Sequence, residues 1–333
     1  MTAPRLLRAI GASAGAPGRG RAASWGSAPG WGVPARWRGR AVIAGFAIAC
    51  LVVAVVAICA GSTGWRWPWA WTGLVAELRA PRVVLAGLVG AALALAGVAM
   101  QAVLHNDLAD PYVLGISGGA STAAVASLAV WPGVAPGPAA AVGAAGAAAL
   151  VRVLARGPYD PARLLLAGVA VGSILASATG MVLVLAPASQ LMRSATAWLF
   201  GGLGTPRWSS LVVPGVAVSA AVVWLWRHAE RIDRLALGAD VAAALGVAVP
   251  ALRRRILIVA VALTALAVAA AGLVGARHRR VVPLAALGGA LLVIAADAVA
   301  RTAFAPRELP VGLVTAALGG PMFLWQLRRG DGC

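Results

Sequence analysis

Lysine is missing from this 333-residue chain, and its 28 basic residues, all arginine, face only ten acids. Without lysine no Gly-x-x-x-x-Gly-Lys-Ser/Thr loop can form, so any nucleotide-driven work must draw its energy from another polypeptide. Histidine is almost as scarce. His105, His228 and His278 stand far apart, and neither a metal-ligand cluster nor a Ser-His-Asp arrangement can be built on their spacing. Of the three cysteines, Cys50 and Cys59 share one apolar run and Cys333 is the last residue, so core packing is the expected use. Neither a catalytic site nor a cofactor nor a resident metal is expected. Charge itself is thin at 11% of residues, where a soluble domain carries about a quarter. With 61% hydrophobic residues, the chain cannot hide its apolar surface inside a water-soluble core.

What is abundant is long apolar sequence. Runs near 41–61, 83–104, 113–131, 137–155, 164–186, 209–226, 255–275, 281–300 and 309–327 approach the ~20 residues that cross ~30 Å of hydrocarbon. They predict an all-α, polytopic membrane bundle of about nine spans. Alanine and glycine supply much of the apolar content, and small residues let helix backbones approach where lipid supplies no hydrophobic drive. Between the fifth and sixth runs, Ser189 to Gly204 is too short and polar to span, and Trp198 and Trp208 suit an interface.

The net charge of +18 does not gather on one nucleic-acid-binding face. Arginines occupy the N-terminal stretch and the short loops between apolar runs, as expected when positive charge is retained on the cytoplasmic side. Residues 1–40, rich in Gly, Ala, Pro and Arg, read as a disordered cytoplasmic tail, and 41–333 as one transmembrane domain. A cleaved signal peptide is not expected, because the first apolar run starts late and is longer than an h-region. With the tail inside, Arg152, Arg156 and Arg163, then the charged stretch Arg227 to Arg255, also fall inside. Counting on past one span at 255–275 exports Arg277 to Arg280, and later Arg328 and Arg329. The rule fails twice, which points to a missing or rearranged crossing.

The stretch Pro81 to Ala120 is the most informative. Met100-Gln101 closes an apolar helix, the turn His105-Asn106-Asp107-Leu108-Ala109-Asp110-Pro111 follows, and Leu114-Gly115-Ile116-Ser117-Gly118-Gly119-Ala120 opens the next helix. This resembles the permease family of ABC importers for iron-siderophores, haem and cobalamin. Further segments agree in order: Leu166 to Ser173, Trp198 to Leu203, Leu237 to Val247, Asp297 to Arg301, Glu308 to Gly312 and Leu318 to Phe323. One feature departs from the family pattern. After Gly272-Leu273-Val274-Gly275 the chain runs straight into Arg277-His278-Arg279-Arg280, and the eighth of the family's ten helices is absent. The position coincides with the failure of the charge rule.

The resemblance implies a permease that pairs with a second copy of itself or a homologue, with cytosolic ABC ATPase subunits below and a substrate-binding protein above. It implies ATPase coupling through residues 228–254, with Leu237, Gly238, Asp240, Val241, Leu245 and Gly246 forming the contact. A plain surface helix is the alternative for that segment, since Leu237, Val241 and Leu245 share one face. It also implies that Arg79, Arg82 and Arg301 dock the binding protein, against interfacial snorkelling as the ordinary use. Asp110 and Asp107 suit helix capping. Asp297 is an acid inside an apolar run, so it pairs with Arg301 one turn on, or it or Asp110 serves as the proton site of an ion-coupled carrier. Glu308 suits a helix start, and the Gly115, Gly118, Gly119, Gly172, Gly319 and Gly320 set suits close packing. Arg82-Val83-Val84 and Arg280-Val281-Val282 open similar helices, an echo that arises from an inverted repeat or from chance likeness among Gly/Ala-rich helices. A truncated paralogue that no longer transports is the third functional alternative.

Overall fold

The computed structural model describes residues 37–60, 73, 75–106, 109–131, 133–157, 159–185, 189–272, 282–303 and 309–330. Contacts divide the chain into Met1–Val42, of which only the opening of the first helix is described, and Ile43–Cys333. Residues 1–36 of the expected tail and the residues Asp107, Glu308 and Arg277 to Arg280 therefore lie outside the described residues, while residues 37–40, expected in the tail, belong to the first helix.

Among the described residues nine long helices correspond to the nine apolar runs. They are α1 (Trp37–Cys59), α2 (Ala80–Leu104), α3 (Ile116–Val130), α4 (Gly137–Leu154) and α5 (Pro161–Leu185), then, after the short α6 (Ser189–Leu199), α7 (Val212–Arg227). Two short helices follow, α8 (Ala229–Ala236) and α9 (Ala239–Ala244), before α10 (Val249–Ala271), α11 (Val282–Thr302) and α12 (Val311–Gly330). Among the described residues seven helical stretches are long and apolar enough to cross a membrane, and α3 is apolar but only 15 residues long. The helix expected from residue 255 starts at Val249 instead. Pro250 sits in its first turn, where a missing N–H costs nothing, so Arg253 to Arg255 ride on the helix rather than in the loop.

α2 lies at the centre, with Leu93, Leu95, Met100 and Val103 all buried. Its principal neighbour is α11, the helix that echoes it in sequence, and the two cross antiparallel. Arg82 faces Asp297 at one end of the crossing, and a Cβ on Gly90 would run into the backbone of Gly289 further along. α3 and α4 make a similar crossing at Gly119 and Gly143, and Gly118 lies against Gly172 of α5. Glycine is required at these places because only hydrogen can face the opposing backbone.

Helix direction follows from contacts at the two ends. Cys59, Arg79, Asp297 and Arg301 mark one end, called here the α1-exit end. Leu104, Tyr159, Leu235 and Arg253 mark the other, which also carries Arg152, Arg156, Arg163, Arg227, Arg231, Arg234, Arg254 and Arg255. α10 rises from this Arg-rich end to the α1-exit end, where Ala269 meets Gly137 and the Ala271 carbonyl accepts from Gly202 N. α11 also finishes at the α1-exit end. Consecutive helices α10 and α11 therefore run parallel with residues 273–281 between them, too few for a crossing helix at 1.5 Å per residue. This corrects the simple alternating count that put the C-terminal arginines outside. α12 starts beside Ala300 at the α1-exit end, with Leu309 N donating to the Ala300 carbonyl, so its 20 residues lead back toward the Arg-rich end.

Candidate functional site

At the Arg-rich end, α8 and α9 form a compact pair between α7 and α10. Gly238 (φ 114°) and Gly246 (φ 78°) take backbone angles that side chains resist, so the chain turns sharply before and after α9. Val247 N donates back to the Ala242 carbonyl at 3.0 Å and closes the second turn. Leu235, Ala242 and Val247 are buried, whereas Leu237, Val241 and Leu245 are 66%, 48% and 49% exposed. Val241 and Leu245 stand one turn apart on α9, and Leu237, just before the Gly238 turn, is a third exposed apolar side chain of the same short segment, so the segment presents an apolar ridge among charged residues. Asp240 occupies the first turn of α9, where its charge suits the helix N-terminus.

The ridge is tied to the bundle core. His105 closes α2 in a left-handed conformation (φ 50°), and its Nε2 donates to the Leu235 carbonyl at 2.8 Å. Nearby, the Tyr159 hydroxyl donates to the Val103 carbonyl at 2.7 Å while the Arg253 guanidinium lies 3.9 Å from the Tyr159 ring centre. Burial pushes the Tyr159 hydroxyl above its usual pKa, with Arg253 opposing, so it keeps its proton and its bond at neutral pH. Two helix-to-helix links thus converge where α2 ends. Asp110 performs the expected capping, accepting from Tyr112 N at 2.9 Å at the 3₁₀ turn Pro111–Leu114.

At the α1-exit end the three expected docking arginines do come together, but they turn inward. Arg79 and Arg301 are 8% and 3% exposed. Arg79 Nη1 donates to the carbonyls of Ile58 (3.3 Å) and Cys59 (3.0 Å), and Arg301 donates to those of Ala57 (3.0 Å) and Ala60 (3.3 Å). Four successive carbonyls that end α1 are thereby satisfied by cations, which also suit the negative pole of a helix. Asp297 receives Arg82 Nε on Oδ1 at 3.1 Å and pairs with Arg301 Nε through Oδ2 at 2.9 Å. The i,i+4 pair expected from sequence is present, and Arg82 adds a cross-helix partner that spacing could not reveal. Snorkelling is not what Arg79 and Arg301 do, because their guanidinium groups point at protein carbonyls.

Along the bundle, Thr122 Oγ1 bonds the Gly118 and Leu175 carbonyls and pairs with Thr179 Oγ1 at 3.0 Å, locking α3 to α5. Gly115 (φ 71°), Gly118 and Gly119 pack closely, as expected, but a Cβ on Gly319 would meet nothing within 4 Å. No cluster of His, Cys, Asp and Glu suited to a metal occurs among the described residues.

This arrangement of helices has known counterparts. The model of the FecCD transport family matches residues 47–329. The chain belongs to that family. It is 38% identical over 277 residues to the hemin transport system permease protein HmuU of Yersinia pestis, covering 76% of this chain and 82% of that one. It is 40% identical over 275 residues to the Fe(3+) dicitrate transport system permease protein FecD of Escherichia coli, at 76% and 84% coverage. Against the vitamin B12 import system permease protein BtuC of Klebsiella pneumoniae the identity is 35% over 320 residues, at 89% and 96% coverage. The fold matches that of a metal-chelate type ABC transporter in an inward-facing conformation, with a TM-score of 0.77 at 23% identity, over 87% of this chain and 99% of the other. The FecCD chain is thus a multi-pass membrane permease subunit of an ABC importer, and not an enzyme.

Proposed function

We propose that this FecCD permease carries an iron-siderophore complex as a homodimer, with its Arg-rich end in the cytosol. The charge bias supports the orientation, since arginine gathers around Arg152 to Arg163 and Arg227 to Arg255. Relatives that carry hemin, ferric dicitrate and vitamin B12 support a bulky chelate as cargo. The observation that carries the proposal is the exposed ridge Leu237, Val241 and Leu245 on a two-helix segment that His105 anchors to α2. Such a ridge fits a groove on a cytosolic ATPase and passes rigid-body motion into the core helix. Leu237, Gly238, Asp240, Val241, Leu245 and Gly246 form the proposed coupling contact. At the opposite end Arg82 is proposed to meet a carboxylate of a substrate-binding protein, with Asp297 orienting it, while Arg79 and Arg301, buried against the carbonyls that end α1, hold that surface in place. Arg82, 12% exposed at its side chain, is the most accessible of the three.

Right-side-out vesicles containing the permease and its ATPase test this proposal. Uptake of a ferric siderophore into the lumen of right-side-out vesicles loaded with ATP should be blocked by vanadate and survive collapse of ion gradients. Uptake that tracks a proton gradient and ignores ATP would assign the chain to the carrier class, with Asp297 as its proton site.

A second proposal follows from the parallel α10 and α11. A permease lacking the eighth crossing of its family folds and assembles but does not transport. Assembly with the ATPase and unchanged ATP hydrolysis without uptake would establish it.

A further inference from the structure

A cavity of about 380 Å³ opens on the flank of the bundle between α4 and α10. Its walls are alanine, leucine, isoleucine and valine, with Ala145, Ala148 and Ala149 giving α4 a flat face opposite Leu257 and Val261. Only two lining residues are charged, Arg152 in the last turn of α4 and Arg254 near the start of α10. α4 and α10 are antiparallel, so both arginines stand at the same, Arg-rich mouth of the groove. Both are exposed, and neither has a hydrogen bond or ion pair among the described residues.

We infer that this groove holds one anionic phospholipid of the Arg-rich leaflet. Its phosphate sits between Arg152 and Arg254, and an acyl chain lies along the alanine face. Three features favour this occupant over others. The groove runs from Arg254 down to Ala265, eleven residues or about 16 Å of helix, which matches half of the ~30 Å hydrocarbon layer. Its lower wall offers no polar group to a peptide or a hydrated solute. Two unpaired guanidinium groups at a hydrocarbon edge complement a phosphate diester and would otherwise have only water to face. The α4 helix has no part in the proposed coupling ridge or the α1-exit arginines, so the lipid site stands apart from both.

Native mass spectrometry of the full-length permease, released from membranes containing equal phosphatidylglycerol and phosphatidylcholine, tests the inference. The wild type should retain phosphatidylglycerol in preference to phosphatidylcholine, at one tightly held lipid per chain. The double variant Arg152→Gln/Arg254→Gln should lose that preference by about twenty-five-fold, at roughly fivefold per arginine. Arg152→Lys/Arg254→Lys should keep most of it. Ala149→Phe, which fills the groove, should weaken retention of both lipids alike. Equal retention of the two lipids by the wild type overturns the inference even if the variants fail to fold. So does undiminished phosphatidylglycerol binding by the glutamine pair. A lipid-free dimer peak that the Arg152 and Arg254 substitutions split into monomers would assign the face to a second copy of the chain instead.

Discussion

Gly90 of α2 and Gly289 of α11 meet backbone to backbone, and each leaves the space that the other's main chain occupies. Fourteen residues separate Gly90 from the end of its helix, yet this one contact sets how closely the two central helices approach. Gly97, two turns further along α2 on nearly the same face, has nothing within 4 Å of where a Cβ would sit. Gly90→Ala should therefore destabilise the permease by about 1–3 kcal/mol through overpacking. Gly97→Ala should instead leave stability unchanged or raise it by about 0.5–1 kcal/mol, through reduced backbone freedom. Thermal unfolding of the two variants in one detergent separates these outcomes.

Asp297 is buried, with Arg82 and Arg301 each in contact with one of its carboxylate oxygens. Replacing it by asparagine keeps the shape and leaves two arginines without their counter-charge. A loss of about 3–5 kcal/mol is expected for breaking one side of a buried ion pair. The unfolding midpoint should fall, and α1 should become more susceptible to proteolysis near Ala60. An Asp297→Asn permease of unchanged stability that loses only proton-driven uptake would favour the carrier alternative.

His105 connects α2 to the end of α8 through the Leu235 carbonyl. Truncation to alanine removes one hydrogen bond near the surface, a cost of about 0.5–1.5 kcal/mol. The expected result is a folded permease that still binds its ATPase but couples it less well, read as fewer chelates imported per ATP hydrolysed. An unchanged ratio would show that motion enters the core elsewhere.

The parallel run of α10 and α11 directs α12 toward the Arg-rich end, which is proposed to face the cytosol. In a Cys50→Ala/Cys59→Ala background, Cys333 should react with a membrane-impermeant maleimide only from the cytosolic face. Labelling from outside would mean that α11 and α12 are inverted relative to the contacts of Arg82 with Asp297 and of Leu309 with Ala300.

Much of this architecture was readable because lipid imposes a simple rule on sequence, that an apolar stretch of sufficient length is a helix. The nine runs and the short Ser189 to Gly204 segment follow from it, whereas the single helical face expected for Leu237, Val241 and Leu245 is interrupted by the turn at Gly238. Asp297 with Arg301 was readable as well, since four residues make one helical turn. Arg82 with Asp297 was not, because 215 residues separate them and no periodic pattern encodes a cross-helix pair. The inward turn of Arg79 was hidden for a related reason: its partners are backbone carbonyls, which every residue has and no sequence advertises. Tyr159 with Arg253 and His105 with Leu235 belong to the same class. The start of α10 at Val249 was missed because three arginines in a row resemble a loop, although Pro250 marked the helix start. Charge counting located the fault after Gly272 but could not show that α11 keeps its orientation, which depends on its crossing with α2.

The central claim is that a separate cytosolic motor grips this permease at the α8–α9 ridge, and a cross-link reads it most directly. A cysteine at Val241, combined with a short bifunctional thiol reagent and the co-expressed ATPase, should yield one adduct of permease plus ATPase. Moving the cysteine to Val142, 74% exposed on α4, should abolish the adduct. An intact complex in which Val241→Cys gives no adduct, or a folded permease that never retains an ATPase, would contradict the account.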